Sequence, residues 1–155
     1  MIIRTPLLAA LALAAIAQTP ARADEHGRAI VLLPAYVQEC GACHAPYPPG
    51  LLPQESWQRL MNNLPKHFGT DASLDAPTQK ALSTWLTATA GTGKRARVAP
   101  PEDRITRGDW FIREHREVPR SAWSRPSIKS ASNCGACHDG AAQGMYDEDS
   151  VHIPR

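Results

Sequence analysis

Two identical five-residue stretches carry the chemistry of this chain: Cys40-Gly41-Ala42-Cys43-His44 within "QECGACHAP", and Cys134-Gly135-Ala136-Cys137-His138 within "SNCGACHDG". Together they hold all four cysteines of the 155 residues. Even cysteines in an exported chain ordinarily suggest disulfides, with a redox dithiol or a zinc site as the next readings. None of these explains a histidine directly after each pair. Covalent haem attachment does. Two thiols three residues apart on one helical turn reach the two vinyl groups of a haem, and the next imidazole falls beneath the iron. The expectation is two covalently bound haem c groups, on Cys40 with Cys43 and on Cys134 with Cys137, with His44 and His138 as proximal ligands.

Each iron then needs a sixth ligand, which the surrounding elements must position. "RAIVLLPAYVQE" leads into the first motif as a helix that Pro34 interrupts or kinks. "APYPPGLLP" is a proline-stiffened loop. "PQESWQRLMNNL" sets Trp57, Leu60, Met61 and Leu64 at helical spacing. "LDAPTQKALSTWLTATAG" begins with Asp75 as N-cap and Pro77 in the first turn, carries Leu82, Trp85 and Leu86 on one face, and is expected to end at Gly91. This order is the plan of small class I cytochromes c, in which a loop residue before the last helix ligates the iron. Here that loop, "NLPKHFGTDAS", holds His67 and no methionine. Met61 is the competitor, but its spacing suits a packed helical face. His67 is therefore the expected sixth ligand of the first haem.

"GTGKRARVAPPEDR" reads as a linker, covering residues 91–104. "ITRGDWFIREHREVP" follows as a short helix closed by Pro119, with Phe111, His115 and Val118 at i, i+4, i+7 and Ile112 beside them. Only seventeen residues follow His138, too few to repeat the first lobe. The second sixth ligand must come from upstream or from the tail. His115, on an apolar face where a lone imidazole would carry a desolvation penalty, is favoured over His152 and Met145. The fold expected is mainly α: a class I-like lobe over 24–93 and a small irregular haem lobe with one short helix over 94–155.

Residues 1–23 have the form of a secretory signal peptide: Arg4, an apolar run from Leu7 to Ala17, and Ala21-Arg22-Ala23 before the cleavage point. The run is too short to span a bilayer, so a soluble, exported chain with no transmembrane segment is expected, with His26 exposed near the new terminus. Losing Arg4 and Arg22 leaves 15 basic residues against 15 acidic ones. That balance gives a nucleic-acid role no support. A basic stretch from Lys94 to Lys129 is read as a solvated face, and Asp139, Asp147, Glu148 and Asp149 as a solvated tail.

Three stretches, "PAYVQECGACHAPYPPGLLPQESWQRLMNNLPKHFGTDASLD", "WFIREHREVP" and "SNCGACHDGAAQG", resemble the periplasmic dihaem cytochromes c called DHC. The resemblance implies bis-histidine ligation of both haems, by His44 with His67 and by His138 with His115. It also implies a periplasmic electron carrier, working beside a membrane cytochrome b561 and a small oxygen-binding cytochrome. The expected role is thus low-potential electron transfer, not enzymatic turnover. The competing reading is a haem enzyme or sensor whose open second haem binds oxygen, nitric oxide or peroxide.

Overall fold

The computed structural model describes residues 31–155; the expected signal peptide and His26 lie outside them. The described residues form four α-helices joined by single turns of 3-10 helix, with no strand among them. The mainly helical expectation holds.

Helix α1, Pro34–Gly41, starts at its proline. Pro34 therefore opens the helix, where its missing N–H is harmless, and does not kink it. Helix α2, Gln54–Met61, buries Ser56, Trp57 and Met61. Helix α3, Ala76–Ala88, is capped by Asp75, whose side chain accepts from the Thr78 N–H at 3.0 Å, and Pro77 sits in its first turn. The three helices close around Tyr36, Leu52, Trp57, Met61, Leu64, Leu82 and Leu86. Two polar atoms in this core are satisfied locally: Trp57 Nε1 donates to the Pro49 carbonyl at 2.7 Å, and Tyr36 Oη to the Tyr47 carbonyl at 2.9 Å.

Helix α3 stops at Ala88, ahead of Gly91. Gly91 has a different task. Its N–H donates to the Leu52 carbonyl at 2.9 Å, and a Cβ there would lie 2.3 Å from the Gly50 carbonyl oxygen and 2.4 Å from Ala96 Cβ. Glycine is required because two backbones meet, not because a helix ends. The 91–104 segment is held to the first lobe further along as well. Ala96 is buried, and Asp103 accepts two hydrogen bonds from the Arg59 guanidinium, at 2.6 and 2.8 Å. That guanidinium holds the Asp103 carboxyl below the usual carboxylate range.

Helix α4, Asp109–Glu114, opens the second lobe and buries Phe111 alone. Ile112 is 57% exposed, so it does not join the apolar face on which periodicity placed it. A six-residue helix has too little length to present a full stripe. Beyond it, "SAWSRPSIKSAS" has a 3-10 turn at Arg120–Ser124 and buries Ala122 and Ile128 completely. The second lobe has few apolar anchors: Phe111, Ala122, Ile128 and Ala141 are its buried hydrophobics.

Candidate functional site

Two pairs of histidine rings come close together, His44 with His67 and His115 with His138. In the first, α1 ends inside the Cys40–His44 motif, and the N–H groups of Cys43 and His44 both turn back to the Cys40 carbonyl at 3.4 Å. His67 caps the 3-10 turn Leu64–Lys66. It is followed by Phe68 (φ 51°) and Gly69 (φ 96°), with the Thr70 N–H donating to the His67 carbonyl at 3.0 Å. Two consecutive positive-φ residues make a tight primed-type turn, easy for glycine and strained for phenylalanine. That turn fixes the His67 backbone, and its ring lies 6.3 Å from the ring of His44 with 23° between the planes.

In the second lobe the His138 N–H donates to the Cys134 carbonyl at 2.9 Å, and an antiparallel bridge joins His138 to Val151. His115 is the C-cap of α4. Its ring stacks on Phe111 at 3.9 Å and lies 5.8 Å from Trp123. The His115 and His138 rings are 6.1 Å apart, with 72° between their planes. His152 gives its N–H to the Cys137 carbonyl at 2.9 Å and leaves its side chain exposed. Met145 is 45% exposed and packs on Gly140. Met61 is 4% exposed, inside the first core.

Both ring spacings suit a metal held between two imidazoles. Metal–nitrogen bonds of about 2 Å, plus roughly 1 Å from each nitrogen to its ring centre, put two such rings about 6 Å apart. The tautomers agree at two of the four rings. His44 Nδ1 is 2.7 Å from the Ala45 carbonyl, and His115 Nδ1 is 2.9 Å from that of Phe111. Each Nδ1–H donates there, which leaves Nε2 with its lone pair for a metal. His67 and His138 each have a buried Nδ1 with no partner in the protein, and a buried polar atom of that kind calls for one. Burial, then neighbouring His44 and Arg104, lowers the His67 pKa. Burial, then His115, lowers that of His138. Both shifts favour the neutral imidazole, the form that ligates metals.

No disulfide joins any two of the four cysteines. Burial pushes Cys40 and Cys134 up to about 11, the opposite of the lowered values that make a redox dithiol reactive. Among the described residues no three His, Cys, Asp or Glu side chains gather into a metal site, so zinc has no donor set. The thiols, the following imidazoles and the opposed histidines thus fit covalent haem in each lobe.

Three tyrosines were not anticipated from the sequence. The Tyr47 ring stacks on His44 at 4.8 Å and 17°, and that of Tyr146 meets His138 edge-on at 5.3 Å. Tyr36, buried in the first core, lies near both. Tyr47 stands three residues after His44, a proximity that sequence could have flagged. Its contact with the second lobe had no sequence signal.

The family model for dihaem cytochrome c matches residues 36–146. Among solved structures, the dihaem cytochrome type c of Shewanella baltica OS155 is 38% identical with a TM-score of 0.68, covering 78% of this chain and 92% of that one. A dihaem cytochrome c of Rhodobacter sphaeroides is 40% identical with a TM-score of 0.67, covering 76% and 98%. A further R. sphaeroides structure, DHC, is 38% identical with a TM-score of 0.62 and covers 76% and 100%. No curated protein matches the chain.

Proposed function

Since the chain belongs to the dihaem cytochrome c family, and so carries two covalently bound haem c groups for electron transfer, we propose that it is a low-potential carrier with both irons closed by two histidines. The observation that supports this reading is the pair of opposed rings, His44 with His67 and His138 with His115, at 6.3 and 6.1 Å. Cys40, Cys43, Cys134 and Cys137 would form the thioethers. Each haem c, when bound, supplies a one-electron couple at its iron.

The residues around each site do the rest. The Ala45 and Phe111 carbonyls hold His44 and His115 in the ligating tautomer and strengthen them as donors. Histidine on both sides in place of methionine lowers the reduction potential. Held by His44 with His67 and by His138 with His115, the two irons would have no position left for oxygen, nitric oxide or peroxide, which favours a carrier over an enzyme. Among the described residues no helix is long and apolar enough to cross a membrane. The relay fits a periplasmic carrier, taking electrons from a membrane-linked donor of the cytochrome b561 kind and passing them to a small oxygen-binding cytochrome.

The two ring pairs differ in a way a spectrum can read. Near-parallel imidazole planes (23°) and near-perpendicular ones (72°) split the iron d orbitals differently. The oxidised protein should give two separate low-spin electron paramagnetic resonance signals, the more anisotropic one from the second haem. It should show no high-spin signal. A high-spin signal of one-haem intensity would contradict the reading and favour an open haem.

A further inference from the structure

One side chain touches the sites of both lobes. The Tyr47 ring lies against His44, 4.8 Å between centroids and 17° between planes. Its hydroxyl donates to the Ser132 carbonyl at 2.8 Å, across 85 residues of sequence. Ser132 stands two residues before Cys134, on the segment that enters the second motif. The lobes also meet nearby, where a Cβ on Gly144 would lie 3.7 Å from Leu32 and 3.8 Å from Pro48. Those contacts are apolar packing; among the described residues only Tyr47 joins a stacked ring to a hydrogen bond reaching the segment that enters the other motif.

We propose that Tyr47 is a positioning residue for electron exchange between the two haems, linking His44 to the Cys134 segment through its ring and its hydroxyl. This rests on the reading that His44 and His138 are ligands. With both haems bound, one electron would pass from the ferrous iron of one lobe to the ferric iron of the other. Tyr47 gains and loses neither an electron nor a proton. Its contribution is distance and continuity: the stacked ring replaces a gap beside His44, and the hydrogen bond replaces a through-space jump to the second motif.

The test uses holo-protein with two haems per chain in three forms: wild type, Tyr47→Phe and Tyr36→Phe. Tyr47→Phe keeps the stack and removes the hydrogen bond. Tyr36→Phe removes a hydrogen bond of the same kind, to the Tyr47 carbonyl, that stays within the first lobe. Haem–haem exchange is measured by two-dimensional exchange NMR of the half-reduced protein, with the separation of the two reduction potentials as a second readout. In Tyr47→Phe exchange should slow by about tenfold, equivalent to about 1.4 kcal/mol in barrier, and the potential separation should change, while both haems stay low-spin. Tyr36→Phe should exchange at the wild-type rate. Unchanged exchange in Tyr47→Phe with both haems still low-spin would overturn the inference alone, as would equal slowing in Tyr36→Phe. A wild-type haem that binds carbon monoxide would overturn the ligation reading and this inference with it.

Discussion

Replacing His115 by alanine is expected to leave one of the two haems five-coordinate and high-spin, with a raised potential. The His115 ring faces His138 at 6.1 Å, and its Nδ1 is fixed by the Phe111 carbonyl. Once it is gone no other strong ligand stands in its place: His152 is exposed with its backbone tied to Cys137, and Met145 is turned towards Gly140. The reduced variant should bind carbon monoxide at one haem while the other keeps its low-spin spectrum. His67→Ala should give the mirror result at the first haem, since the buried Met61 is committed to the core. His152→Ala should leave the spectrum unchanged. Absorption spectra with and without carbon monoxide decide all three. A His115→Ala protein that stays fully low-spin would move the ligand to the tail.

The second large effect concerns folding. Changing Cys134 and Cys137 together to serine should cost the second haem and, with it, the second lobe. That lobe buries two large apolar side chains, Phe111 and Ile128, and two alanines. So few anchors cannot offset the entropy of ordering a lobe of this length, which runs at about 1–2 kcal/mol per residue for the backbone alone. A haem in the lobe supplies the missing apolar surface, as small domains without a sufficient core require. The first lobe has its own seven-residue core and should persist with one low-spin haem. Limited proteolysis should therefore cut the variant within 109–155 and spare 34–90. Protection of both regions would show that the second lobe folds without its haem.

The proximity of His67 to His44 and of His115 to His138 has a local basis in the sequence. His67 occupies a loop between two helices that packs nothing else polar inwards, and His115 sits four residues after Phe111, so helical geometry stacks the two rings. The misreadings have local causes. Gly91 looked like a helix end because glycine often is one, yet the reason for it lies in Gly50 and Ala96, distant or loop-borne neighbours that no periodicity shows. Ile112 looked buried because a six-residue helix imitates the start of a longer amphipathic one. Tyr47 gave no warning of its second contact, since its partner at Ser132 is set by how the lobes dock.

The central claim is that both irons are closed by histidine. Its most direct test is the absorption spectrum of the dithionite-reduced holo-protein before and after carbon monoxide. No change is the predicted result, because in the proposed ligation His67 and His115 would occupy the positions the gas needs. A prompt shift in one of the two haems would contradict the account and make the protein a small-ligand haem protein.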